Sequence, residues 1–425
     1  MKEEYIEDLI SIVKEDTNPA LGCTEPVAVA FTASTLRNYS KGELKELKIE
    51  VCNNIFKNGK SVMIPKTGKS GLDLAGILGF LGGNSEKGYM TLEDVKNSDI
   101  EKALIYIENN KVKLSHIDTD EDVFVRVSAF ADNEAVATTI SSHIGLKTIY
   151  VDGDLVYESK GKDHKKVDRS FLKELSFKEI KDLADTISLD RIMFIEDGIK
   201  MNEYASEEGL KSKDGLSIGK TLKNLMEEGS LKMDSSSKAR LLTAAAADMR
   251  MGGGTCPIMT SGGSGNQGLG VIIPIKVVYD TENLEREKLI RSVFFAHLIN
   301  VYVKAYSGKL SGMCGCAIGA GIGSSAGITY MLGGNLEEIE GSASNMFANL
   351  AGMLCDGAKD TCSLKLSTSA GEAVISSYLA LEGVIVKPNV GIIGDSIEKT
   401  IQNIGDLSKK AFKGVDSFML EIIDK

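Results

Sequence analysis

At 425 residues, 43% hydrophobic and 26% charged, the chain has the composition of a globular protein with room for two or three sizeable cores, and not that of a disordered one. Its 49 basic residues are outnumbered by 60 acidic ones, and the net charge of −11 argues against nucleic acid as the main partner and for a small molecule. Seven cysteines are an odd set for a disulfide framework, and the acidic start Met1 to Asp8 lacks the apolar stretch of a signal peptide, so a cytoplasmic location is expected, with thiols used for metal, catalysis or plain burial.

Ile6, Leu9, Ile10 and Val13 have the spacing of an amphipathic helix, which Asn18-Pro19 stops. A second helix is expected from Thr24 to Pro26, with Thr or Glu at its N-cap, proline in its first turn and an apolar continuation over Val27 to Leu36. Leu47 to Val51 alternates as a strand, Asn53-Asn54 and Lys57-Asn58-Gly59 read as turns, and Ser61 to Ile64 as a short strand. Thr67 to Gly71 contains Gly-Lys-Ser but lacks the first glycine of a phosphate loop, so no nucleotide site is assigned. From Val123 the runs Val123 to Phe130, Glu134 to Ser142, Lys147 to Val151 and Leu155 to Glu158 predict an antiparallel meander, with Asp152-Gly153 as a tight turn.

Beyond about Ser170 the pattern turns helical: Phe177 to Ile187, Ile192 to Tyr204, Leu216 to Met226 and Ala239 to Met249. A glycine-dense stretch, Met251 to Gly268, follows, and Val271 to Val278 reads as a short β-like run. Lys288 to Tyr306, Ser311 to Leu332, Ser342 to Leu354 and Ala370 to Leu381 again read as helices. Leu310 to Asn335 carries no charge, but its composition of small residues suits close packing inside a protein better than lipid, so no membrane partner is expected. The pattern as a whole predicts an α+β fold, with a mixed region over 1–190 and a mostly helical one over 191–425, the 251–280 stretch being a candidate to pack back onto the first.

Cys355 and Cys362 flank an Asp-Gly turn, and Cys314, with Cys316 two residues on as its alternative, adds a further thiol; the set suits iron or zinc, and equally suits four buried hydrophobes. Three thiolates on an iron-sulfur cluster would leave one iron open as a Lewis acid, since such clusters ordinarily take four. Cys23 sits at a helix start, where a lowered thiol pKa is expected, beside Glu25, a capping carboxylate or a proton carrier. His143 closes a predicted strand as a candidate base, or as a structural histidine. Ser264, Asn266 and Gln267, with backbone N–H groups, could bind a substrate carboxylate or simply satisfy a tight loop.

The segments Pro19 to Pro26, Asn58-Gly59, Arg250 to Gly253, Ser264 to Gly268, Leu310-Ser311 with Cys314, and Met353 to Gly357 through Cys362 and Ser367 to Ser369 resemble the L-cysteine desulfidases, relatives of the iron-sulfur L-serine dehydratase alpha chain. That resemblance implies a [4Fe-4S] cluster on Cys314, Cys355 and Cys362, with no role for Cys316 or Cys256, and a role in catalysis for Cys23. It implies a PLP-independent α,β-elimination of L-cysteine to hydrogen sulfide, ammonia and pyruvate at the open iron, with Cys23, Glu25 and His143 as acid or base candidates. L-Serine dehydration by the same apparatus and a non-enzymatic metal-binding sensor are the rival readings, and a homodimer is left open.

Overall fold

The computed structural model describes residues 3–119, 121–159, 168–308 and 312–423. The amino-terminal part runs α1 Glu3–Asp16, β1 Pro19–Ala20, α2 Thr24–Arg37, β2 Glu46–Cys52, α3 Asn53–Gly59, β3 Met63–Ile64, β4 Lys69–Ser70, α4 Leu72–Gly82, α5 Asn97–Glu108 and β5 Val112–Ile117. The expected meander follows as β6 Phe124–Phe130, β7 Glu134–Ile140, β8 Leu146–Val151 and β9 Asp154–Glu158. These strands form one sheet in the order β5-β2-β6-β7-β8-β9, antiparallel except that β5, reached through α4 and α5, lies parallel to β2. Alternation explains its single buried face: Leu47, Ile49 and Val51 of β2 point inward while Lys48 is exposed. At the β8–β9 turn Asp152 and Gly153 both have positive φ, as a two-residue hairpin of that hand requires.

Helices α2 and α4 pack together over this core, which holds Val29, Ile49, Leu74 and Val127. Their closest approach is at Gly79, where an added Cβ would lie 2.2 Å from the Ala30 carbonyl oxygen. Gly79→Ala is therefore expected to destabilise by about 1–3 kcal/mol despite alanine's better helix propensity. A urea midpoint that does not fall in the variant would refute this packing account.

The rest is helical: α6 Phe177–Thr186, α7 Ile195–Lys211, α8 Ile218–Glu227, α9 Ser235–Met251, the short strand β10 Ile258–Met259, then α10 Gly265–Glu282 and α11 Arg286–Ser307. After a π-type turn over Cys316–Gly321 come α12 Ile322–Met331, α13 Leu336–Leu350, α14 Cys362–Leu381, α15 Ile397–Asp406 and α16 Phe412–Ile423. The α+β class is as expected. Ser176 begins α6 with a reciprocal cap to Glu179, and Phe177, Phe295 and Tyr302 fill the second core.

Several sequence expectations are corrected. Val271 to Val278 is not a strand but the middle of α10, and a helix buried on every side loses the polar stripe that marks helical period. Asn53 to Gly59 is the helix α3 and not turns. The N-cap of α2 is Cys23 and not Thr24 or Glu25. The helix expected from Ser342 to Leu354 starts at Leu336 and stops at Leu350. Leu310 and Ser311 lie outside the described residues, and so does the start of the helix expected from Ser311. Among the described residues no helix is long and apolar enough to cross a membrane.

Two residue pairs of sheet position the site. β1 pairs antiparallel with β10, Pro19 opposite Met259 and Ala20 opposite Ile258, and Asn18 and Thr260 exchange hydrogen bonds beside them. This stitch sets the start of α2, with Cys23, near the start of α10, with Ser264.

Candidate active site

Cys23 and Glu25 open α2 and are almost fully buried. The Cys23 thiol donates to Glu25 Oε2 at 2.9 Å, Thr24 Oγ1 donates to the same oxygen at 3.2 Å, and Asn58 Nδ2 to Oε1 at 3.3 Å. Burial and then the Glu25 charge raise the Cys23 pKa well above a thiol's usual value, so the expected thiolate is corrected to a thiol: desolvation and a carboxylate neighbour outweigh the helix N-terminus. For Glu25 burial pushes the other way, yet the His143 charge, the Cys23 hydrogen bond and Arg250 hold its carboxyl below the usual range. Glu25 is thus ionised at neutral pH.

The cysteine segments are laid side by side by backbone. Met313 and Leu354 form an antiparallel bridge, Cys314 N donates to Met353 O at 2.8 Å, and Cys355 N to Gly312 O at 2.7 Å. The loop onward to Cys362, the first residue of α14, docks on α3: Ala358 N donates to Asn58 O, and Gly357, at φ +96°, lies so close to the Lys57 carbonyl that a Cβ would sit 2.2 Å from it. Lys365 ties the loop down through Leu354 O at 2.7 Å and Asp356 Oδ1 at 2.5 Å. Cys362 and Ala358 pack against a small cluster of Cys23, Val62 and Met251.

One cavity of about 100 Å³ results, and Cys314, Cys355 and Cys362 line it together with Cys23, Glu25, Ser264, Asn266 and Gln267. Cys316 lines it too; the two thiols do not diverge as a continuous helix would have made them, because Cys314 lies before the helical turn. A hydrogen bond from Cys316 brings Cys314 down to about 7 against burial, whereas burial pushes Cys362 up to about 12. His143 lies in the turn after β7, beyond the predicted strand, and faces a second cavity of about 910 Å³ that meets the first at Thr24, Glu25, Ser264, Gln267 and Lys304. Every residue singled out from the sequence therefore borders one of two adjoining spaces.

Among the described residues no three Cys, His, Asp or Glu side chains close on a single metal ion. A cluster, with one thiolate on each of three irons, sets its ligands further apart than one ion does. The donor set fits such a group: three soft thiols from two bridged segments and a helix start, with the Lys365 cation at the rim to offset thiolate charge. Sequence reasoning gave no site role to Arg250 or Lys365. Arg250 is buried at the end of α9, its Nη1 donating to Asn266 Oδ1 at 2.7 Å.

The serine dehydratase alpha chain profile matches residues 85–421, and the chain belongs to that family. It is 50% identical over 426 residues to a UPF0597 protein of Clostridium botulinum, across 100% of this chain and 98% of that protein. It is 40% identical over 430 residues to a UPF0597 protein of Desulfatibacillum aliphaticivorans (98% and 97% of the two chains), and 38% over 419 residues to one of Clostridium tetani (98% and 97%). Membership makes it a lyase-type enzyme related to dehydratases associated with iron-sulfur clusters.

Proposed function

We propose that the chain is a PLP-independent L-cysteine desulfidase. The observation that carries this reading is the one cavity shared by Cys314, Cys355 and Cys362 with the Cys23–Glu25 pair and the start of α10. The reaction breaks Cα–H and Cβ–S, giving hydrogen sulfide and 2-aminoacrylate, whose imine tautomer takes up water to give pyruvate and ammonia; no net electron is transferred. When bound on Cys314, Cys355 and Cys362, a [4Fe-4S] cluster supplies an open iron, a Lewis acid for the departing sulfur.

The chain's own groups do the remainder. Ser264, Asn266 and Gln267, with the N–H groups of the first turn of α10, receive the substrate carboxylate. Glu25, kept ionised in a buried setting, accepts the α-proton at Oε2 or Oε1. Cys23 and Asn58 hold that carboxylate in place by donating to it, and His143 on the far side favours its charge. Burial of Cys23, Asn266 and Gln267 excludes water from the reacting carbon. The partner is a free amino acid.

The family's own description favours a second reading, L-serine dehydration at the same site. Anaerobically purified protein, assayed for pyruvate from both amino acids and for sulfide from cysteine, separates them. We expect kcat/KM for L-cysteine to exceed that for L-serine by at least tenfold, since a soft thiolate suits iron better than a hydroxyl. The reverse order would transfer the proposal to serine, and release from neither would end it.

A further inference from the structure

We propose that Arg250 is the cationic partner of the substrate carboxylate at the start of α10, which makes a carboxylate-bearing ligand a requirement of the cavity. This rests on reading the cavity as an amino-acid site. Arg250 is only 2% exposed and lines the cavity. Among the described residues its one hydrogen bond runs to the neutral Asn266 side chain, and its Nε–H has no partner. Among the described residues no carboxylate forms an ion pair with it, and its charge reaches the ionised Glu25 through space, without a hydrogen bond between them. A buried guanidinium with no carboxylate paired to it is costly to keep, and an arriving anion offsets that cost.

The fold puts that charge where an anion would bind. Gly265, the first residue of α10, lies so near the guanidinium that a Cβ would sit 2.5 Å from Arg250 Cζ; the missing side chain lets the guanidinium lie beside the start of an 18-residue helix, whose first N–H groups are open. Helix start and guanidinium supply directed donors and net positive charge together, the combination that holds carboxylates in two-point fashion. Lys365, also at the cavity, is already engaged by Asp356.

The test uses two thiols that differ in the group at issue: 3-mercaptopropionate, which has a carboxylate and no amine, and cysteamine, which has an amine and no carboxylate. Binding of each is measured by calorimetry on anaerobic full-length wild-type, Arg250→Lys and Arg250→Met proteins, with iron content and thermal midpoint as controls. We expect wild type to bind 3-mercaptopropionate at least about tenfold tighter than cysteamine. Arg250→Met should erase that difference, Arg250→Lys keep part of it, and neither should change cysteamine binding. Equal affinity of wild type for the two thiols overturns the inference even if Arg250→Met does not fold, and so does an Arg250→Met protein that still prefers 3-mercaptopropionate. A protein that releases no sulfide from L-cysteine yet shows the Arg250-dependent preference loses the desulfidase reading and keeps this one. A working desulfidase whose KM is unmoved in Arg250→Lys and Arg250→Met loses this one alone.

Discussion

Replacing Cys314, Cys355 or Cys362 singly with serine is expected to strip iron from the anaerobically purified protein and to cut sulfide release by well over a hundredfold. Loss of an outer support of a metal site costs up to about a hundredfold, and loss of a direct thiolate must cost more. The three positions differ in what else the substitution disturbs. Cys355 and Cys314 are fixed by backbone hydrogen bonds to Gly312 and Met353, which serine preserves, so the variants should keep their thermal midpoint in the iron-free state. Cys362 also packs against Cys23 and is the position where a small loss of stability should accompany the loss of iron. Cys256, which does not line the cavity, is the control: Cys256→Ser should retain iron and turnover. Cys316 does line it, and Cys316→Ser tests whether three thiolates suffice, with full iron content as the expected result. A Cys355→Ser protein that still carried four irons would remove Cys355 from the ligand set and with it the basis for one open iron.

Legibility in the sequence followed the reach of each physical signal. The meander and the start of α2 were readable because alternation and first-turn proline act within a few residues, and β6 to β9 and α2 stand where those signals put them. Val271 to Val278 reads as a strand because α10 is buried all round, so β-branched residues follow one another without a polar face. The place of Cys23 at a helix start predicts a lowered pKa, a local effect that burial and Glu25 override only once the chain has folded. The meeting of Cys23 with Ser264 depends on a pairing of two-residue strands 239 positions apart, β1 with β10, too short to leave a periodicity. Arg250, at the end of α9, stands in the segment Arg250 to Gly253 that carries the family resemblance, but its role follows only from its burial and its position against Gly265.

Glu25→Gln should leave the cluster in place and lower kcat for L-cysteine by about 10²–10⁴, the usual contribution of a positioned general base. The substitution is near-isosteric, and the glutamine Oε1 can still accept from Asn58 Nδ2, so the buried corner is largely kept. What is lost is the acceptor that Cys23 and Thr24 share at Oε2 and the negative charge that His143 favours. Because proton abstraction belongs to the transition state, KM should change far less than kcat. A merely structural Glu25 would instead show its removal as a lower thermal midpoint and lower iron content, with residual turnover per iron unchanged. Cys23→Ser keeps a donor to Glu25 and should cost much less than Glu25→Gln if Cys23 only positions the carboxylate. If it costs as much or more, the thiol itself exchanges the proton, and the roles within the pair are reversed.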